Sequence, residues 1–250
     1  MAPPDLPTHP KWRGLDVDLD GRQQLACALR ILARSGCNLD VTGHITVVAD
    51  ESGELWSSPW GLWWEEVRAS DILRLDPEGV VIDGPHDVTP AVFLHTELHR
   101  RDPNAAVAIH NHPHYGILLG AMGVRPEITE QQGSLLHGQI GLDQKYDGAV
   151  LDTSAGERFA ASLGGRTAVL LRNHGAMITA PDLPLATYKA VAFERVCRIT
   201  YELLAAGITP TELDPVQQAQ LQDGLVAYST PVFWDGAVRQ LLAAEPDVLL

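Results

Sequence analysis

Two short stretches of this chain carry histidines at a spacing that suits a metal ion. Ala105-Ala106-Val107-Ala108-Ile109-His110-Asn111-His112 is an apolar strand running into a His-x-His pair. Strand side chains alternate faces with a period of two, so His110 and His112 project to the same side. A third candidate, His174, closes a second apolar strand, Ala168-Val169-Leu170-Leu171-Arg172-Asn173-His174-Gly175. If the two strand ends meet, three neutral imidazole nitrogens surround one divalent cation and leave positions open for substrate. That is how a catalytic metal site is built, as opposed to a closed structural one. A bare His-x-His is a weak signal by itself. The apolar strand ahead of it and the matching Asn-His-Gly strand end strengthen it.

Elements able to hold such a site follow from the periodicity. Arg22 to Ser35 repeats apolar residues at Leu25, Leu29 and Leu32 and stops at Gly36, which predicts an amphipathic helix. β-branched residues mark a strand over Thr42 to Val48. Trp56 to Trp64 reads as a short strand, a turn and a continuation near Glu66, with further strands at Ile72 to Leu75 and Val80 to Gly84. Thr89-Pro90 is expected to cap and open a helix that runs to about Arg101. His95 reads as a hydrogen-bonded helix histidine, His99 as part of a polar helix face and His114 as a rim position. After the His-x-His strand come a short helix near Tyr115 to Met122, a strand before 142, and a helix capped by Thr153 that ends at Gly164-Gly165. The second apolar strand follows, then a long helix from Asp182-Leu183-Pro184 to about Ala206, a shorter helix and a tail. This alternation predicts a single α/β domain with a central sheet. The expected boundaries are an N-terminal arm over 1–20, the domain over 21–208, and a C-terminal helix and tail over 209–250.

Composition narrows the class. The 250 residues are 45% hydrophobic and 20% charged, and the net charge is −14. So acidic a surface, with no Lys/Arg cluster, repels phosphate backbones and anionic lipid, which argues against nucleic-acid and membrane partners. An anionic substrate would then need a local positive field, which a bound metal supplies. The three cysteines, Cys27, Cys37 and Cys197, have no CxxC spacing and read as core thiols in a reducing compartment. The first residues, Met1 to Pro7, show no basic stretch followed by an apolar run, and no 18-residue apolar stretch occurs, so a cytoplasmic protein is expected.

Several segments taken together resemble the class II aldolase/adducin family of metal-dependent sugar-phosphate aldolases and epimerases. They are Thr42-Gly43-His44-Ile45-Thr46, Pro59-Trp60-Gly61-Leu62, Arg68-Ala69-Ser70-Asp71-Ile72, Pro103 to His112, and Asn173-His174-Gly175, in order over residues 20–205. The resemblance implies a central, mostly antiparallel sheet flanked by helices, and a homotetramer with active sites at subunit interfaces. It implies His110, His112 and His174 as ligands of zinc or manganese, with iron as a variant. The metal would act as a Lewis acid that stabilises an enolate during carbon–carbon bond cleavage. It also marks Gly43, His44, Gly61 and His137 as candidate substrate contacts, and His44, Ser134 and His137 as candidate catalytic groups.

Departures from the family pattern bear on the reaction. Working members carry a Glu four residues before the histidine that corresponds to His95, and here that position is Ala91. The Gly-Asn pair of the phosphate cradle is Gly43-His44. Retro-aldol cleavage needs a base on a hydroxyl, whereas loss of CO₂ from a hydroxy- or oxo-acid needs an electron sink and a later proton donor. A metal-dependent lyase acting on a small hydroxy- or oxo-carboxylate, with decarboxylation ahead, is therefore expected. The alternatives are an aldolase or epimerase on a sugar or sugar phosphate, and a non-haem iron oxygenase on the same three histidines. A catalytically dead, adducin-like interaction domain is disfavoured because all three ligand positions are histidine.

Overall fold

A computed structural model describes residues 11–145, 157, 160–161 and 163–250. Its centre is an eight-stranded sheet in the order β4-β3-β2-β1-β5-β8-β7-β6. The strands are β1 (His44–Val48), β2 (Leu55–Ser57), β3 (Leu73–Leu75), β4 (Val81–Asp83), β5 (Val107–Asn111), β6 (Ile140–Asp143), β7 (Ala168–Leu171) and β8 (Ala176–Ala180). Every neighbouring pair is antiparallel except β6 and β7, which run parallel. The expected α/β domain with a mostly antiparallel sheet is what forms. One strand departs from expectation: β8 lies between the His-x-His strand and β7, so the two apolar strands do not pair directly. His174 reaches the pair from the turn that joins β7 to β8.

Alternation along β5 assigns the two faces of the sheet. Val107 and Ile109 enter the main core together with residues of α1 (Gly21–Arg34), α3 (His114–Met122) and the long α4 (Leu183–Ala205). Ala108 points the other way, into a smaller cluster with Leu98 of α2 (Phe93–Arg101), Val169, Leu171 and Met177. His110 shares the face of Ala108, two residues on, and β1 is in register with it, pairing His44 with His110 and Thr46 with Ala108. The polar side chains of β1 and β5 therefore line the α2 face.

α2 starts at Phe93, later than Thr89-Pro90 implied, because Thr89 closes a turn instead: its carbonyl accepts from Val92 N at 3.1 Å and its hydroxyl from Ala91 N at 3.3 Å. The Trp-rich segment forms only the short β2 before breaking into turns. Most of the expected Thr153-capped helix falls outside the described residues. All three cysteines are free and buried.

Residues 209–250 add α5 (Pro215–Gly224), a π-helical turn and α6 (Thr230–Ala244), and Trp234, Val238, Leu241 and Val248 are buried in the main core. Arg30 fastens this segment from α1. Its guanidinium, 4% exposed, pairs with Glu245 at 3.1 Å and Asp247 at 3.0 Å. It also donates to the carbonyls of Val67 at 2.8 Å and Glu66 at 3.3 Å. Removing one partner of such a buried network costs about 3–5 kcal/mol. Arg30→Ala should lower unfolding stability in urea by about 3 kcal/mol, and a loss below about 1 kcal/mol would show that the C-terminal segment is held by apolar contact alone.

Candidate metal centre

The Arg172–Gly175 turn brings the three histidines together. Asn173 sits in the left-handed region at φ 55°, which asparagine tolerates better than most residues. The turn closes through Leu171 N to Gly175 O at 2.8 Å and His174 N to Leu171 O at 3.2 Å. Gly175 packs against the end of β5 so closely that a Cβ there would stand 2.4 Å from Asn111 O and 2.7 Å from His112 Cδ2. Only glycine permits this approach, which accounts physically for the Asn-His-Gly sequence.

One ring nitrogen from each of His110, His112 and His174 falls in a group spanning no more than 4.8 Å. Ring centroids stand 4.9 Å (110–112), 4.7 Å (110–174) and 5.3 Å (112–174) apart. Outer partners fix two of the rings. His110 Nδ1 lies 3.0 Å from the Ala176 carbonyl, an acceptor only, so Nδ1 carries the proton and Nε2 keeps its lone pair. Thr42 gives its hydroxyl proton to Asp40 and so must accept from His112 Nδ1, 2.9 Å away, which frees His112 Nε2 in turn. Such outer hydrogen bonds orient metal-ligating histidines. A set of three imidazoles without thiolate fits a first-row divalent ion.

The electrostatics of His110 and His174 favour the neutral form. Burial, reinforced by the neighbouring rings of His44, His174 and His112, pushes His110 well below the ordinary histidine range. Burial and the nearby His112 lower His174 as well. Neutral imidazoles are the form a metal requires. Burial raises the Asp40 carboxyl, but hydrogen bonds from the Thr42 hydroxyl and N–H and the adjacent His112 outweigh it and hold Asp40 below the ordinary carboxylate range.

Not every residue singled out in the sequence joins this cluster. His44 does: it is 4% exposed, and its ring centroid lies 5.0 Å from that of His110. Gly43 sits against Asn38 and Trp64, where a Cβ would meet Asn38 Oδ1 at 2.6 Å, and its carbonyl accepts from Trp64 Nε1 at 3.1 Å. Gly61 occupies an open left-handed turn (φ 83°) between the exposed Trp60 and Trp63. Ser134 and His137 stand apart, on the 3₁₀ segment Gln131–Leu136 and its cap, where Leu135 and Leu136 enter the main core on the other side of the sheet. The Ser134 hydroxyl is buried without a hydrogen-bond partner, and His137 Nδ1 lies 3.0 Å from Gln218 Oε1 of α5. Ala91 lies one turn ahead of His95 and offers no acid or base.

Sequence reasoning missed how far the histidine cluster extends. His95 is fully buried, 4.4 Å from His44 between ring centroids, and His99 is wedged under the sheet instead of facing solvent with the polar side of its helix. The available signal was their i, i+4 spacing, which puts both on one face of α2.

Comparison with known proteins agrees with this geometry. Residues 23–201 match the family model described as the class II aldolase and adducin N-terminal domain. The chain is 31% identical over 201 residues to a 4-hydroxy-3-prenylphenylpyruvate oxygenase/4-hydroxy-3-prenylbenzoate synthase of Streptomyces roseochromogenus subsp. oscitans, covering 78% of this chain and 72% of that one. It is 30% identical over 231 residues to the decarboxylase NovR of Streptomyces niveus, covering 89% and 84%. Among solved structures, L-fuculose 1-phosphate aldolase from Glaciozyma antarctica PI12 superposes with a TM-score of 0.79 at 25% identity, covering 92% of this chain and 91% of that one. Among the described residues no helix is long and apolar enough to cross a membrane. With the matched segment spanning both strand ends and all three histidines, this chain belongs to the class II aldolase and adducin family.

Proposed function

We propose that this protein is a divalent-metal-dependent carbon–carbon lyase that decarboxylates a small hydroxy- or oxo-carboxylate. One observation carries the reading: an imidazole, His44, stands beside the three-histidine cluster, while the position of the family's glutamate is Ala91. His110, His112 and His174 would hold the ion, which supplies Lewis acidity at the substrate's oxygens when bound. The resemblance favours zinc or manganese.

The chain's own residues then have defined tasks. Burial excludes water from the face shared by His44 and His110, which strengthens polar contacts there. On a hydroxy-acid, His44 takes the proton of the substrate hydroxyl. The bond between the carboxylate carbon and its neighbour breaks, CO₂ departs, and the electron pair stays on the substrate carbon. His44 returns the proton to that carbon, and one proton from solvent restores the product's hydroxyl, so the reaction consumes one proton in all. Ser134 and His137, held in the opposite layer, receive no step. The expected assembly is a homotetramer with sites at subunit interfaces, which the exposed Trp60 and Trp63 support.

A second reading, a non-haem iron oxygenase, is favoured by the Streptomyces roseochromogenus relative whose name includes an oxygenase activity. Metal identity and oxygen dependence separate the two. Across a small panel of hydroxyaromatic and oxo-acids, the zinc- or manganese-loaded protein should release CO₂ under nitrogen as fast as in air. A chelator should abolish turnover and the metal restore it. His44→Ala should keep full metal content yet lose about 10²–10⁴-fold in turnover. Iron in the purified protein together with oxygen-dependent turnover would instead establish the oxygenase.

The outer hydrogen bonds give a separate prediction. Thr42→Val removes the acceptor of His112 Nδ1 and should weaken metal affinity by about 10–100-fold in chelator competition. Unchanged affinity would mean that the Thr42 hydrogen bond does not orient His112 for the ion.

A further inference from the structure

Across the sheet from the metal centre, the long α4 buries a lysine that the proposed reaction does not use. Lys189 is 7% exposed, and its ammonium donates to the Thr167 hydroxyl at 2.9 Å. Thr167 gives its own proton to Gln139 Oε1 at 3.1 Å, so it is set to accept from Lys189 but brings no charge to balance it. An ammonium has three N–H groups. Among the described residues the other two have no acceptor, and no carboxylate makes an ion pair with Lys189. Burial pushes Lys189 down to about 8, an effect that Asp182 only partly offsets. The Asp182 carboxylate is engaged by Leu185 N at 2.8 Å, as the cap of α4. A cation held this way lacks a counterion, which is a costly arrangement in a protein interior.

Lys189 lines a cleft of about 580 Å³ bounded by α4, α5 and the 3₁₀ segment. That volume suits a small molecule. Leu135 and Leu185 give it an apolar wall continuous with the main core. Val226 and Ala227 extend this wall from the π-helical turn Leu225–Ser229. Pro231 follows at once and has no N–H to continue an α ladder, and π turns of this kind often shape functional sites. Gln139 also lines the cleft, and its Nε2 has no acceptor among the described residues. The cleft thus offers two kinds of unused donor beside an apolar surface. Asp223, an exposed residue of the lining, is the group that opposes negative charge there.

We propose that this cleft binds a small monocarboxylate with an apolar body, its carboxylate held by Lys189 and Gln139 and its body laid against Leu135, Leu185 and Val226. The two carboxylate oxygens match the two unused N–H groups of the ammonium, and their charge supplies the missing counterion. An inorganic anion would leave the apolar wall wet. A second carboxylate on the ligand would meet Asp223. Leu135 and Leu185 belong to the core face of the sheet, opposite His110, so the site is separate from the metal centre and independent of the reaction assigned there.

Equilibrium dialysis of radiolabelled hexanoate against the full-length, zinc-loaded protein tests the site, with hexanol as the neutral counterpart. One hexanoate per chain should bind with a Kd of about 1 mM or tighter, and hexanol at least about tenfold more weakly. Lys189→Met, which keeps an apolar stem, should weaken hexanoate about tenfold or more. Asp223→Asn should tighten it. Affinity should fall between about pH 7 and about pH 9, where Lys189 loses its proton while hexanoate stays ionised. No binding to the wild-type protein at about 10 mM hexanoate, or equal binding of hexanol, would overturn the proposal whether or not the variants fold. Hexanoate binding that Lys189→Met leaves unchanged would put the ligand elsewhere, the metal centre included, and would overturn it as well.

Discussion

Everything at the candidate metal centre depends on how closely the Arg172–Gly175 turn packs against the end of β5. Gly175 has no room for a Cβ, Asn173 takes the left-handed conformation that reverses the chain, and His174 is thereby carried to within reach of His110 and His112. The insertion of β8 between β5 and β7 makes this possible. Direct pairing of β5 with β7 would set the strand ends side by side, with no turn to fold back over the histidines. A hairpin supplies that turn and ties His110 to it through the Ala176 carbonyl.

A second constraint follows from burial. The α2 face gathers six imidazoles, those of His44, His95, His99, His110, His112 and His174. A buried histidine without a carboxylate partner stays neutral, because water is not there to solvate the charged form. Neutral imidazole is both a metal ligand and a base, and which role a ring takes depends on where its proton sits. Carbonyls and hydroxyls around the cluster make that choice: Ala176 for His110 and Thr42 for His112. Asp40 approaches this cluster, bonded to the Thr42 hydroxyl and 3.6 Å from His112 Nδ1.

The sequence was legible where period and residue type decide the outcome. His110-x-His112 on an apolar strand, the capped α1 and the long α4 follow from local rules, and so does the layered α/β arrangement. Long-range pairing was not legible. Ala176 to Ala180 is short and lies close to the start of α4, which hides it as a strand, yet it sits inside the sheet between β5 and β7. The start of α2 was misplaced because Thr89-Pro90 serves a turn as readily as a cap. The inner histidines were partly signalled, His44 and Thr46 by their alternation with Ile45 and Val47, His95 and His99 by their helical spacing. Only the register of β1 against β5 shows that the two sets face each other.

The central claim is that three imidazoles bind one catalytic metal ion per chain. X-ray absorption spectroscopy on the purified protein, combined with elemental analysis, tests it most directly. The expected result is one divalent ion per chain with three nitrogen neighbours at about 2.0–2.1 Å and oxygen completing the shell. Sulfur in the shell, or a protein purified in the presence of zinc or manganese that holds well under one ion per chain, would contradict it.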